Sequence, residues 1–185
     1  MDTITLIQRC QAGDTAAIES LVATYQSSMY RFALLLLDDP AEADEAVQTA
    51  FLSACRALDS YQGHASLRTW LLSIVMNESR NRLRKRARMA RLKERLLIFA
   101  RLLDPPPHPE NSAIQHEEND AVWSAIQALG EKHRLPVILR YYQDLPVAEI
   151  AQMLHISEGT VHSRLNTARE RLRKTLGSLK VEDHE

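Results

Sequence analysis

The residues best suited to chemistry of recognition stand together near the C-terminus, in "ISEGTVHSRLNTARERLRK", Ile156 to Lys174. Ser157, Glu158, Gly159, Thr160, His162, Ser163, Arg164, Asn166 and Arg169 are small, hydrogen-bonding or cationic. Val161, Leu165, Ala168, Leu172 and Leu176 recur at helical spacing between them, so one face is apolar and the other polar. Side chains that meet base edges in a DNA major groove must be short or able to donate and accept hydrogen bonds. Gly159 removes bulk where a backbone would approach DNA. Ser157 and Thr160 can also serve the exposed amides of a first helical turn. Arg164, Arg169, Arg171 and Arg173 are placed for phosphates, which fix register rather than read sequence. Arg164 lies close enough to the tip to reach a base.

Such a helix needs a partner to hold it in place. "LPVAEIAQML" precedes it, with Pro146 opening a short helix that turns Ile150, Ala151 and Leu154 inward. A bend at His155 to Ser157 follows, giving a helix-turn-helix. An amphipathic hairpin packed on a neighbour, touching no DNA, has the same periodicity. The rest of the chain decides between them.

The 185 residues suffice for one medium domain or two small ones. With 45% hydrophobic residues, 5% aromatics and Gly rare, the composition is globular and favours helix over strand. No apolar run approaches the ~20 residues needed to span a bilayer, and "MDTITLIQRCQAGD" lacks the layout of a secretory signal. Cys10 and Cys55 are too few for a disulfide scaffold or a zinc motif, and both fall at apolar helical positions, which predicts buried free thiols and a cytoplasmic chain. The His residues are scattered, no metal-binding spacing appears and no Ser/His/Asp set is suggested. The expectation is a non-enzymatic protein with neither cofactor nor metal.

A formal net charge of −1 hides a strong polarity. Through Ser60, Asp2, Asp14, Glu19, Asp38, Asp39, Glu42, Asp44, Glu45 and Asp59 outnumber Arg9, Arg31 and Arg56. From Arg80 to Arg101 the balance reverses, and Glu94 is the only acid among the basic residues. Two different partners are implied, one of them polyanionic, unless these are simply solvated helix faces.

The chain reads as helices throughout, an all-α fold of two small domains joined by a Pro-rich linker. Asp14 caps a second helix with the stripe Ile18, Leu21, Val22, Tyr25, Met29, Phe32, Ala33 and Leu36. "DDP" ends it and starts a third, burying Ala43, Val47, Ala50, Ala54 and Leu58 while exposing Glu42, Asp44 and Glu45. After the polar loop "DSYQGHAS", a fourth helix begins apolar at Leu67, Trp70, Leu71, Ile74 and Val75 and becomes basic. "LLDPPPHPENS", Leu102 to Ser112, cannot continue a helix and marks the linker. The expected domains are 1–101 and 113–180. The second has helices marked by Ile114, Val122, Ile126 and Leu129, then by Leu135, Ile138, Leu139 and Tyr142.

Three stretches resemble the extracytoplasmic-function (ECF) sigma factors of bacterial RNA polymerase. "AEADEAVQTAFLSACRAL" (Ala41 to Leu58) is similar to the polymerase-docking helix of that family. The resemblance implies that Asp44, Glu45, Gln48 and Phe51 face the clamp helices of the β′ subunit, with Thr49 where the family usually has an acid. "SYQGHASLRTWLLSIVMNESRNRLRKR" (Ser60 to Arg86) is similar to the family's segment for the promoter −10 element. On that likeness Tyr61, Gln62, Gly63, His64 and Ala65 hold a base extruded from the non-template strand, which needs a fitted polar site because extrusion costs a few kcal/mol. Asn77, Arg80, Asn81 and Arg84 share one helix face toward the −10 region; Asn81 stands where Asp is common. "EIAQMLHISEGTVHSRL" matches the sigma-4 helix-turn-helix, implying that Ser157, Gly159, Thr160, His162, Ser163 and Arg164 face the −35 element, with Glu158, Asn166 and Arg169 added from the residue types above. Gly130 and Thr167 replace the family's usual Pro and Arg. The implied fold is a sigma-2-like bundle plus a sigma-4-like domain. The implied partners are core RNA polymerase (β′ clamp helices and β flap), promoter DNA and an anti-sigma factor, with no membrane insertion. A conventional helix-turn-helix regulator explains the C-terminal block but gives the acidic and basic helices no task. A DNA-cutting enzyme has no candidate site.

Overall fold

The computed structural model describes residues 3–101 and 120–182. The chain divides into two compact units, Met1–His108 and Pro109–Glu185. That division falls inside the expected Pro-rich linker, which lies outside the described residues, as does Ile114.

The described part of the first unit holds α1 (Thr3–Gln11), α2 (Thr15–Leu37), α3 (Pro40–Ala57) and α4 (Leu67–Arg101), with a 3₁₀ turn at Leu58–Ser60. Its boundaries follow from local chemistry. The Asp14 carboxylate accepts from the Ala16 and Ala17 amides at 3.0 and 3.2 Å and so caps α2. The Arg9 guanidinium, hydrogen-bonded to Asp14, holds that carboxyl below its ordinary pKa. Asp38 ends α2 in the left-handed region (φ 54°), and Asp39 caps α3 by accepting from the Glu42 amide at 2.9 Å. Pro40, fixed near helical φ, is the first residue of α3. Ser66 begins α4 by accepting from the Thr69 amide at 3.0 Å.

Helices α2, α3 and α4 pack mutually. Ala43, Ala46, Ala50 and Ala54 give α3 a short-side-chain seam, fully buried, and Phe32 and Met29 of α2 and Leu71, Leu72 and Met76 of α4 are buried in the same unit. Burying each of the larger side chains contributes about 1.5–3 kcal/mol. The α1 helix rests on α2 and the 3₁₀ turn, where the Gln11 amide donates to the Leu58 carbonyl at 3.1 Å. Burial raises the pKa of the Cys10 thiol. Cys55, expected to be buried too, is exposed: it falls on the outward side of α3, one residue beyond the seam at Ala54.

The second unit holds α5 (Asp120–Ala128), α6 (Glu131–Val137), α7 (Val147–Leu154) and α8 (Glu158–Glu182). Ile138–Tyr142 extends α6 as a π turn. Pro136 inside α6 has no amide to donate, and the register widens just beyond it, with the Gln143 amide reaching back five residues to the Ile138 carbonyl. Leu135, Ile138 and Leu139 are buried as the periodicity predicts, but the extra residue in the turn carries Tyr142 out to 44% exposure. Val122, also expected inside, is exposed at the open edge of α5, and Ala125 joins Ile126 and Leu129 in the core. Helix α8 packs Val161, Leu165 and Ala168 inward, and α5, α6 and α7 all contact it.

Candidate nucleic-acid interface

Helix α8 presents its tip as a capped, open turn. His155 closes α7 in the left-handed region (φ 53°), and the chain turns at once into α8. The Thr160 amide donates to Ser157 Oγ at 3.2 Å, and the two hydroxyls lie 2.9 Å apart. Glu158, Gly159, His162, Ser163, Asn166 and Arg169 are exposed, while Thr160 and Arg164 are half-buried. Gly159 has no internal reason to be glycine: a Cβ there meets only Ser157 Oγ, at 3.9 Å.

Two neighbours of this face escaped the sequence reading. The Arg169 guanidinium donates to the Tyr141 hydroxyl at 2.8 and 3.1 Å and to Asn166 Oδ1 at 3.2 Å, so Arg169 and Asn166 are held as a pair. Tyr141 belongs to the π turn, 28 residues away in sequence, and no local pattern signals it. His133, buried on α6, has Nδ1 3.4 Å from the Arg164 carbonyl. Burial lowers its pKa, and Arg171, Lys132 and Arg164 nearby lower it further; the Arg164 carbonyl pulls the other way. Thr167, standing where the family has Arg, donates to the Ser163 carbonyl within its own helix.

In the first unit, α3 turns Asp44, Glu45 and Gln48 outward. The Gln48 amide donates to Asp44 Oδ2 at 2.7 Å, fixing the pair one turn apart. Phe51 does not face outward as expected. It is 7% exposed, because its position falls beside Val47 and Ala54 on the packed side. The outward apolar residue is its neighbour Leu52, 62% exposed and one turn beyond Gln48. Adjacent large apolar residues on one helix cannot both face the same way, and the sequence alone did not say which would turn in.

The two long faces of α4 do different work. Arg82 reaches Glu45 of α3 at 2.8 Å and Glu78 at 3.3 Å, with Thr49 Oγ1 at 3.4 Å, and Arg86 lies 3.8 Å from Glu42. Thr49 thus accepts a hydrogen bond from the same arginine that Glu45 binds. Asn77, Asn81 and Arg84 are exposed and Arg80 half-buried on the other side.

Between the two helices, the loop at Tyr61 to Ala65 closes on itself. The Tyr61 hydroxyl donates to the Ala65 carbonyl at 2.6 Å, and its ring packs against Trp70 with centroids 5.3 Å apart. Burial raises the pKa of that hydroxyl. Gly63 adopts φ +75°, which glycine tolerates without strain, and the Gln62 carboxamide oxygen lies 2.9 Å from His64 Nε2. Gln62, Gly63 and His64 are therefore the exposed part of the loop, with Tyr61 and Ala65 as its half-buried clasp.

An all-helical pair of units, one with a basic helix beside an acidic one and the other ending in a helix-turn-helix, matches the architecture of the sigma-70 class. Residues 21–89 match the family model for sigma-70 region 2 and residues 125–174 that for sigma-70 region 4. The chain is 32% identical over 171 residues to the ECF RNA polymerase sigma-E factor of Escherichia coli, covering 89% of each. It is 31% identical over 180 residues to the RNA polymerase sigma-H factor of Pseudomonas aeruginosa, covering 94% of this chain and 93% of the relative. Its fold is similar to the sigma factor RpoE of Bartonella quintana, solved with the anti-sigma factor NepR (22% identity, 86% of this chain and 96% of that one, TM-score 0.68). It is also similar to CnrH, solved with the cytosolic domain of CnrY (24% identity, 94% and 96%, TM-score 0.66).

The chain belongs to the ECF RNA polymerase sigma factors. It is a sigma factor, a transcription-initiation protein that binds core RNA polymerase and promoter DNA. No described helix is long and apolar enough to cross a membrane.

Proposed function

We propose that three separate surfaces divide the work of initiation, without catalysis by the chain itself. Asp44, Glu45 and Gln48 on α3, with Leu52 in place of Phe51, dock on the β′ clamp helices of core polymerase. An acidic face suits a basic partner surface and mainly sets rate and specificity, while the exposed Leu52 at its C-terminal end supplies apolar contact. Gln62, Gly63 and His64 take up a base drawn from the non-template strand, with Tyr61 and Ala65 setting the shape of the loop. Asn77, Arg80, Asn81 and Arg84 lie along the adjoining −10 segment. In the second unit, Ser157, Glu158, Gly159, Thr160, His162, Ser163 and Arg164 read the −35 element, and Asn166 and Arg169 fix its backbone.

The observation that carries this reading is the split of α4. Arg82 and Arg86 turn toward the acids of α3, while Asn77, Asn81 and Arg84 stay open. A helix that served only to neutralise α3 would not keep a second polar face outward. The domain limits 1–101 and 113–180, with a spacer between, let each unit serve one promoter element. An anti-sigma partner covering the α3 face accounts for control; the sigma factor RpoE of similar fold was solved with the anti-sigma factor NepR.

The test is run-off transcription with purified core polymerase. Initiation should require this protein, and a promoter-selection experiment with the holoenzyme should return paired −35 and −10 elements. Promoter binding without core, and no initiation with it, would instead identify a conventional helix-turn-helix regulator.

A further inference from the structure

A hydrogen-bonded run of side chains joins the polar face of α8 to the π turn after α6. Tyr141 stands in that turn, and its neighbours anchor it. Ile138 and Leu139 are fully buried, Arg140 donates to the Leu145 carbonyl at 3.0 Å, and the Tyr142 ring meets Trp123 edge-on with centroids 5.9 Å apart. The Tyr141 hydroxyl is turned to α8, where it accepts from Arg169 Nε at 3.1 Å and Nη2 at 2.8 Å. Arg169 Nη1 donates in turn to Asn166 Oδ1 at 3.2 Å.

Which donors this leaves over decides what the pair can bind. A guanidinium holds its N–H groups in one rigid plane. The tyrosine oxygen occupies the edge formed by Nε and Nη2, and Asn166 takes one hydrogen of Nη1. The end-on edge remains, with one hydrogen on Nη1 and one on Nη2 lying parallel, the fork that fits two oxygens of a phosphate. Among the described residues, no carboxylate pairs with Arg169. Asn166, its oxygen turned to Arg169, keeps its amide hydrogens to donate. The pair therefore offers donors, which suit an anion with several acceptor oxygens.

Both residues continue the face that holds the tip of α8. At about 100° per residue, Arg169 lies within about 20° of His162 and Asn166 within about 20° of Gly159. Arg169 stands about 10 Å along the axis from His162. A major groove is about 12 Å wide, so with His162 over base edges Arg169 comes to the wall of phosphates.

We propose that Tyr141 is a positioning residue for promoter binding: through its hydroxyl the π turn holds the Arg169 fork, with Asn166 beside it, ready for one DNA phosphate at the edge of the −35 element. The proposal rests on the reading that α8 enters the major groove there. Tyr141 acts through Arg169, raising affinity because the guanidinium is already ordered before DNA arrives. A contact to phosphate carries no base preference.

The test is a double-mutant cycle with the full chain assembled on core polymerase, binding a labelled promoter selected with the wild type. Y141F keeps the ring and removes the acceptor. It should weaken binding by about 2- to 13-fold, the range for ordering one long side chain. R169A should weaken binding as well and lower the magnitude of the log–log salt slope by about 0.9, the share of one phosphate. Adding Y141F to R169A should then cost nothing further. Promoter selection with Y141F should return the wild-type −35 bases. If R169A weakens binding and Y141F does not, the positioning role is overturned while the reading of α8 stands. A Y141F loss that persists in the R169A background overturns it in favour of a direct contact by the tyrosine, and altered −35 bases overturn it in favour of base reading. An R169A variant that binds as tightly as the wild type removes Arg169 from the −35 interface, and the proposal with it.

Discussion

Gly159 is the second residue of α8, exposed, with no internal atom closer than 3.9 Å to where a Cβ would stand. Glycine in a helix costs roughly 0.5–1 kcal/mol relative to alanine, so nothing inside the protein explains its presence. Gly159→Ala should therefore stabilise the second unit by about that amount, raising its unfolding midpoint by about 2–8 °C in calorimetry. The same methyl group projects from the tip proposed to enter the major groove. If the backbone approaches DNA there to contact distance, forcing in one methyl costs about 1–3 kcal/mol, as overpacking does elsewhere. Holoenzyme affinity for a promoter selected with the wild type should then fall by about 5- to 150-fold. The two effects have opposite signs, so lost binding cannot be blamed on lost folding. A variant that is more stable and binds its promoter as well as the wild type would refute the close approach of α8 to DNA.

Other perturbations separate the remaining surfaces. Reversing Asp44 and Glu45 to lysine should weaken core binding, read by competition with labelled wild type, while the second unit's DNA contact persists. Leu52→Ala should also reduce core affinity, by tenfold or so if Leu52 is an apolar anchor at above 1 kcal/mol, whereas a leucine left in solvent would show no effect. Tyr61→Phe removes the hydrogen bond to the Ala65 carbonyl, so promoter opening followed with a fluorescent base should slow while closed-complex affinity holds; equal opening rates would dissociate loop shape from melting. His133 has a folded pKa below its unfolded value of 6.5, so the unfolded state binds the extra proton first. Stability should fall as pH drops through about 6.5, and the slope should flatten in His133→Leu; identical pH profiles would exclude His133 as the source.

Much of this was legible from residue order. The caps at Asp14, Asp39 and Ser157, the buried alanine seam of α3 and the bend at His155 are local events, fixed within a few residues by side-chain oxygens, Pro40 and helical spacing. The outcomes that differed depend on packing. Whether Phe51 or Leu52 turns inward is decided by the positions of α2 and α4, which the spacing in α3 alone does not specify. Cys55 adjoins the same seam and misses it by one residue. Tyr142 fits an α-helical stripe and leaves it only because the π turn inserts a residue after Pro136. Tyr141 reached Arg169 by the same route, through contacts no spacing rule encodes. The charge polarity was visible, but not that Arg82 and Arg86 would face α3 while Arg84 would not.

The Arg82 bridge has a consequence for how such a protein can change. Glu45 belongs both to the face proposed to dock on polymerase and to the contact between α3 and α4, with Thr49 held by the same guanidinium. On that proposal, a substitution of Glu45 that retunes the grip on the enzyme also removes one of the contacts that hold Arg82 of the basic helix, unless position 82 changes with it. The proposed docking face and the proposed DNA helix then share one ion pair, and variation at positions 45 and 82 should travel in matched pairs.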